Sequence, residues 1–466
     1  MRKKVKKRVR TISGITIVSV MTKPHKCPKK EPCIYCPGGI RINMPQSYVP
    51  KSPVVLRAEA CNYDPEKQVK GRLRVLSEMG HKTEKNEIIV MGGTFLSTDL
   101  EYQKEFIKGC FDGLNGIKAK SLEDAQKLNE NAERRCVGLC IETRPDVCGE
   151  NEINNMLSYG TTRVELGVQT LDDKIYEFIK RGHKVKDVIK ATQLLKDSGF
   201  KVIYHTMPNL PGSNPEKDFK TWKKLFEDQN FRPDGVKIYP TQVCYGTELL
   251  KIYEKGLFKP YKDEELINLL VKMKSITPKW VRIMKVMRDT PIEYVRAGCK
   301  IPHLRDVVKE RMKDLGLKCS CIRCREVGHA LRENKKINLK AVELLETQYK
   351  ASNGKEIFLS FEDKENEILI GLLRLRFPYK PFRPEIKNSS LVRELHVYGP
   401  EIGFKEKSKF FQHKGYGKKL LKEAERISKE NNYDKIVIIS GIGVREYYRK
   451  LGYKLEGPYM VKNLKT

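Results

Sequence analysis

The 466-residue chain has no run of eighteen or more apolar residues; its longest apolar stretches are strand-sized and flanked by charge, which excludes membrane-spanning helices. It is also short of acid: 59 Asp and Glu stand against 91 Lys and Arg, a formal net charge of +32. No long tract is without Val, Ile, Leu and Phe, so wholesale disorder is excluded, and no internal repeat links the two halves. Residues 1–10 are basic and 15–21 apolar, but the apolar part is too short for a secretory signal and leads to no small-residue cleavage site. A cytoplasmic protein is expected. The cationic surplus gathers at the ends, with 14 basic and 2 acidic residues in 1–60 and 28 and 17 in 335–466. Such a surplus favours a polyanionic partner, most simply nucleic acid.

Thirteen cysteines are too few for a disulfide scaffold in a chain this long, and six of them cluster: Cys27, Cys33, Cys36 and Cys319, Cys321, Cys324. In a reducing compartment such clusters usually bind metal. Cys61, Cys110, Cys136, Cys140, Cys148, Cys244 and Cys299 read as small packing residues.

From about residue 14 to 287, short apolar runs alternate with longer amphipathic ones, the pattern of a parallel α/β fold. Strands are expected over 15–20, 87–91, 136–141, 163–168, 201–205 and 235–239, and helices over 66–79 and 186–198. Six or so such units suggest a partial or complete barrel. Polar and glycine residues collect just after these strands, at Gly92-Gly93-Thr94, Glu142 to Asp146 and Gln169-Thr170, where barrel enzymes build their active sites. The pattern breaks near 290. A basic segment with the second cysteine cluster follows, then a separate α+β domain. The expected division is a basic segment 1–13, a barrel domain 14–290, a linker 291–334 holding the second cysteine cluster, and the α+β domain 335–466.

On spacing alone, Cys27, Cys33 and Cys36 suit either three irons of a 4Fe-4S cluster with the fourth iron open, or a zinc knot completed by His25. The placement after the first strand, Tyr35 beside the last cysteine and Gly-Gly-Thr after the second strand resemble radical S-adenosylmethionine enzymes. That resemblance implies that Gly92, Gly93 and Thr94 contact the methionine moiety, with Glu142, Arg144 and Gln169 as further pocket candidates; each of the last three reads equally well as an interior ion-pair or hydrogen-bond partner. Cys319, Cys321 and Cys324 suit a mononuclear zinc with a fourth ligand from His303, His329 or Cys299, or else three unliganded thiols.

The turn Gln412-His413-Lys414-Gly415-Tyr416-Gly417 opens a helix expected over 418–429, and such a turn presents backbone N–H groups and a positive dipole end to a pyrophosphate. With the strand before it, the strand near 436–440 and the segment 444–453, it resembles the GNAT acetyltransferases. The resemblance implies acetyl-CoA binding by this turn, with Tyr447 or Tyr448 near the coenzyme sulfur. Glu394 and His396 on the central strand are possible acid/base groups, and Glu394 is counted among the coenzyme-site candidates.

Together with Tyr63-Asp64-Pro65, Lys237-Ile238-Tyr239-Pro240, Arg311 to Leu315, Arg393 to Tyr398 and Gly457-Pro458-Tyr459, these motifs resemble the catalytic subunits of Elongator, the Elongator protein three family, from about residue 14 onward. The resemblance implies a radical S-adenosylmethionine partial TIM-type barrel followed by a GNAT domain. It implies a 4Fe-4S cluster, S-adenosylmethionine and acetyl-CoA, and wobble-uridine modification of tRNA to 5-carboxymethyluridine. Tyr447, Tyr448, Glu142 and Lys237 are its catalytic candidates. The expected partners are the tRNA anticodon stem-loop, a second copy of the chain and accessory Elongator subunits. A protein lysine acetyltransferase with a structural metal-bound N-terminal domain is the competing reading.

Overall fold

The computed structural model describes residues 11–401, 403 and 415–465. Its first half is a seven-stranded, wholly parallel sheet in the order β1-β2-β3-β4-β5-β6-β8. These are β1 (Thr16–Met21), β2 (Lys85–Met91), β3 (Arg135–Thr143), β4 (Arg163–Gln169), β5 (Lys201–Thr206), β6 (Gly235–Ile238) and, after the short β7 (Val243–Cys244), β8 (Arg282–Val286). All six expected strands are present, in order. β8 is the addition, and since β1 and β8 lie at opposite edges of the sheet the barrel is partial. β7 pairs instead with β9 (Val295–Ala297) in a small antiparallel ribbon.

Helices return between the strands because their apolar residues recur at helical spacing and their ends are capped. Asp64 caps Pro65–Glu78 by accepting from Lys67 N, and Asp99 caps Leu100–Asn115 through Glu101 N and Tyr102 N. Among the described residues no helix is long and apolar enough to cross a membrane.

The second half is a seven-stranded sheet in the order β10-β11-β12-β13-β14-β16-β15: β10 (Val342–Ala351), β11 (Gly354–Asp363), β12 (Ile368–Phe377), β13 (Ser389–Val397), β14 (Lys435–Ile439), β15 (Lys454–Glu456) and β16 (Tyr459–Asn463). Pairing is antiparallel except between β13 and β14, which run parallel over Ser389 to Val392 and then part. The helix Tyr416–Glu430 packs on β12 and β13. Segment 291–334 packs closely: helices Leu304–Asp314, Ile322–Arg325 and Val327–Arg332 lie there, and Ile322 N donates to Val281 O beside β8.

The second sheet closes the floor of the barrel, the end from which its strands start. Lys201 at the start of β5 pairs with Glu394, Ser13 just before β1 accepts from His396 Nε2, and Asp234 just before β6 receives both Nη atoms of Arg393 at 2.7 and 2.8 Å. One apolar core takes in Val164, Val202 and Val236 of the barrel with Leu391, Val437 and Ile439 of the second sheet.

Candidate functional site

A single cavity of about 610 Å³ threads the barrel from mouth to floor. Cys27, Cys33, Cys36, Thr94, Arg144, Gln169 and Arg181 line its upper part; Arg163, Lys201, Arg282, His396 and Tyr398 line it toward the second sheet. Parallel strands aim their carboxyl ends at the mouth, so the residues that follow β1 to β6 converge there.

The cysteine loop is held by donors. Lys29 Nζ lies 3.3 Å and Arg181 Nη1 3.6 Å from Cys33 Sγ, while Gln46 Nε2 donates to Cys36 Sγ at 2.8 Å. Burial opposes ionisation of Cys33, but Arg181 and Lys29 bring its thiol below the usual range; Cys36, buried and beside Cys33, is pushed up. Cationic neighbours and N–H donors suit a site whose thiols bind metal as thiolates. The described groups with ligand atoms within 4.8 Å of one another do not include this triplet, which a single tetrahedral zinc would gather and a cubane cluster would spread. His25 turns Nδ1 to Lys23 O and leaves Nε2 buried without a partner.

Gly92 and Gly93 adopt φ of 126° and 107°, a region that only glycine enters freely, and a Cβ on Gly92 would lie 2.2 Å from Thr22 Oγ1. The two glycines thus keep the turn after β2 tight against Thr22 and Gln46, with Gly93 and Thr94 lining the cavity. Around it, Tyr35 Oη, Gln169 Oε1, Arg144 Nε and Arg181 Nε are buried without partners. Unpaired buried polar atoms are costly and rare, so this set fits a polar ligand such as S-adenosylmethionine beside a three-thiolate cluster.

Midway down the wall, Lys237 Nζ lies 3.3 Å from Glu142 Oε1 and also contacts Glu165. Burial opposes the charge of Lys237, but Glu165, Tyr239 and Glu142 hold it well above the usual lysine range. His205 Nε2 is 2.7 Å from Glu165 Oε2. Glu165, His205, Arg181, Lys29 and Gln46 were not singled out in the sequence. For the first two a signal existed: a Glu and a His inside strands that are otherwise apolar.

In the second half, Gly415 takes φ of 85° at the N-cap of helix Tyr416–Glu430, and a Cβ on Gly417 would lie 3.2 Å from Tyr447 Oη. Gln412, His413 and Lys414 lie outside the described residues. Tyr447 is 41% exposed and free to meet a ligand, whereas Tyr448 is 6% exposed and stacks edge-on against Tyr453 in the core. Glu394 departs from expectation. A β-bulge opposite Arg374 and Leu375 makes Arg393 an extra residue, so the strand's alternation shifts. Glu394 thereby turns to the barrel, where Lys201 and Arg374 pair with it and bring its carboxyl down to about 2 against the cost of burial. His396 and Tyr398 share that direction and stack at 4.2 Å.

Cys319, Cys321 and Cys324 have their sulfurs within 4.8 Å of one another, as one metal ion requires. The suggested fourth ligands do not join them. His329 faces Glu326 at 3.1 Å, Cys299 lies beside Asp263, and His303 stands at the N-cap position of helix Leu304–Asp314 without a side-chain hydrogen bond to it.

Family models match the chain in three stretches: the radical SAM superfamily over 21–222, the radical SAM C-terminal domain over 233–314 and the acetyltransferase (GNAT) family over 330–453. A tRNA uridine(34) acetyltransferase of Methanocaldococcus jannaschii is 55% identical over 98% of this chain and 86% of that protein. Human Elongator complex protein 3 is 44% identical over 98% of this chain and 86% of that protein. The solved structure of Methanocaldococcus infernus Elp3, lacking its N-terminus, superposes with a TM-score of 0.87 at 49% identity, covering 97% of this chain and 100% of that one.

Proposed function

The chain belongs to the family of Elongator complex protein 3 and the tRNA uridine(34) acetyltransferases, and on that premise we propose that it modifies the wobble uridine of tRNA, transferring an acetyl-derived carboxymethyl group from acetyl-CoA to carbon 5. The product is 5-carboxymethyluridine. One observation carries this reading: the cysteine triplet lines the same cavity as His396 of β13 and Tyr398 just beyond it, so both halves of the chain address one chamber.

Cys27, Cys33 and Cys36 hold a 4Fe-4S cluster, and Gly92, Gly93, Thr94 and Gln169 hold S-adenosylmethionine. Bound together, these supply a 5'-deoxyadenosyl radical able to take hydrogen from the acetyl methyl group. The chain's own work is positioning. Arg181 and Lys29 offset thiolate charge beside Cys33. The segment 412–417 and Tyr447 receive the coenzyme. Lys237 and Glu142, paired across the wall, orient the uracil edge by hydrogen bonds. Cys319, Cys321 and Cys324 would hold a zinc ion at the junction of the halves. The cationic N-terminus and the Lys-rich second half hold the anticodon stem-loop through its phosphates.

The test is anaerobic incubation of the protein with tRNA, S-adenosylmethionine, acetyl-CoA and a reductant, followed by nucleoside mass spectrometry. 5-Carboxymethyluridine at the wobble position is expected. Acetylated lysine with unmodified tRNA would overturn the reading.

A further inference from the structure

Glu142, Glu165, His205 and Lys237 stand on four neighbouring strands, β3 to β6, at one level of the barrel wall. Lys237 and Glu142 already have a part in the reading above; Glu165 and His205 have none. Glu165 is wholly buried, and its charge is already answered by Lys237 and by Arg163, whose Nη2 lies 3.3 Å from Oε1. Burial alone would raise its carboxyl, but Lys237, the hydrogen bond from His205 and Arg163 keep it ionised. The 2.7 Å contact to His205 is therefore not needed for neutrality. What it does is fix the imidazole. An ionised carboxylate only accepts, so Nε2 must carry the proton and Nδ1 is left as the basic nitrogen. Among the described residues Nδ1 has no partner, His205 lines the cavity, and Tyr239 packs edge-on against the ring at 5.3 Å. A carboxylate, an imidazole whose Nε2 it holds and an open Nδ1 form the arrangement that activates water in acyl hydrolysis.

We propose that Glu165 and His205 form a hydrolytic dyad inside the barrel, acting on a thioester. The substrate, which rests on the reading above, is the uridine–CH₂–CO–S–CoA adduct made when the acetyl-derived group joins carbon 5. Water oxygen bonds to the thioester carbonyl carbon as one water proton passes to His205 Nδ1. Collapse of the tetrahedral species breaks the C–S bond, and the coenzyme thiolate takes that proton from the imidazolium. The new carboxylic acid gives its remaining proton to solvent. His205 is the catalytic residue, Glu165 a positioning residue, and Lys237, bonded to the same carboxylate oxygen, stabilises the oxyanion.

The experiment is an anaerobic single turnover with two labelled forms of acetyl-CoA, one deuterated in the methyl group and one tritiated in the coenzyme. In His205→Gln, deuterium should reach 5'-deoxyadenosine as in the unaltered protein. The tritium should stay covalently on tRNA and leave about 10²- to 10³-fold more slowly, while hydroxylamine, which needs no base, should release it at once. Imidazole added to His205→Ala should recover at least about ten-fold of the loss. Glu165→Gln should hold the same adduct with a smaller slowing, and Glu165→Asp should largely restore release, which a merely structural carboxylate would not do. Release from His205→Gln at the unaltered rate overturns the dyad, as does loss of deuterium transfer in that variant with its iron content intact. Absence of deuterium transfer in the unaltered protein instead overturns the carboxymethyl reading, and the dyad with it.

Discussion

The two ends of the barrel are both rich in charge, and they treat it in opposite ways. At the floor nearly every buried ion is answered: Arg393 grips Asp234 and Glu356, Arg376 grips Asp197 and Glu356, and Arg374 grips Glu394. At the mouth Tyr35 Oη, Gln169 Oε1, Arg144 Nε and Arg181 Nε are buried and unanswered. Single atoms stay unpaired at the floor too, Arg374 Nη1 and Tyr349 Oη among them, but there each arginine meets a carboxylate, whereas the unpaired atoms of the mouth gather round the one cavity.

Substitutions should separate the ends accordingly. At the mouth, Cys33→Ser should abolish uridine modification and S-adenosylmethionine cleavage to below detection, with the unfolding transition unchanged; retained modification would merge the two ends into one structural class. At the floor, Asp234→Ala leaves Arg393, Arg374 and Lys196 facing one another without their shared carboxylate. Chemical denaturation should show a loss of about 3–5 kcal/mol, the usual cost of breaking a buried ion pair. Gly92→Ala, forced to φ 126° against Thr22, should cost about 1–3 kcal/mol. Calorimetry should also find S-adenosylmethionine bound at least about ten-fold more weakly.

Glu401 sharpens the contrast from the rim of the floor, where it accepts from Thr16 Oγ1 at 2.9 Å. Burial raises its carboxyl from 4.5 to about 7, with Thr16 and Lys85 pulling it back only in part. The folded protein thus holds this proton over a window in which the unfolded chain has released it. Its contribution to stability should fall as pH rises from about 4.5 to 7, and thermal unfolding of Glu401→Gln should lack that component. Smallest of all, Arg426→Ala removes an exposed pair of helix Tyr416–Glu430 and should change stability by less than about 0.5 kcal/mol.

The mouth was far more legible in the sequence than the floor. Its parts are local: three cysteines within ten residues, two glycines in a row, and strands whose apolar runs announce themselves. β8 escaped notice because Arg282 and Lys285 interrupt its apolar alternation to line the cavity. β10 escaped because it is a sheet edge with Glu343, Glu346 and Lys350 exposed. The floor contacts that tie one half to the other join residues more than a hundred positions apart, such as Asp234 with Arg393, and no spacing rule reaches them. The direction of Glu394 was not legible for a different reason: one bulged residue shifts the alternation downstream of it.

The closed floor also bears on descent. Because Asp234 and Asp197 in one half are each matched by arginines in the other, a second half borrowed from a distant relative would bring its own charges to a surface already fixed. Recombination between lineages is viable only where both sides of the seam change together. Positions 197, 234, 356, 374, 376 and 393 act as a lock and its key, and a chimaera joined near residue 335 should fold only if its two parents carry the same residues at all six.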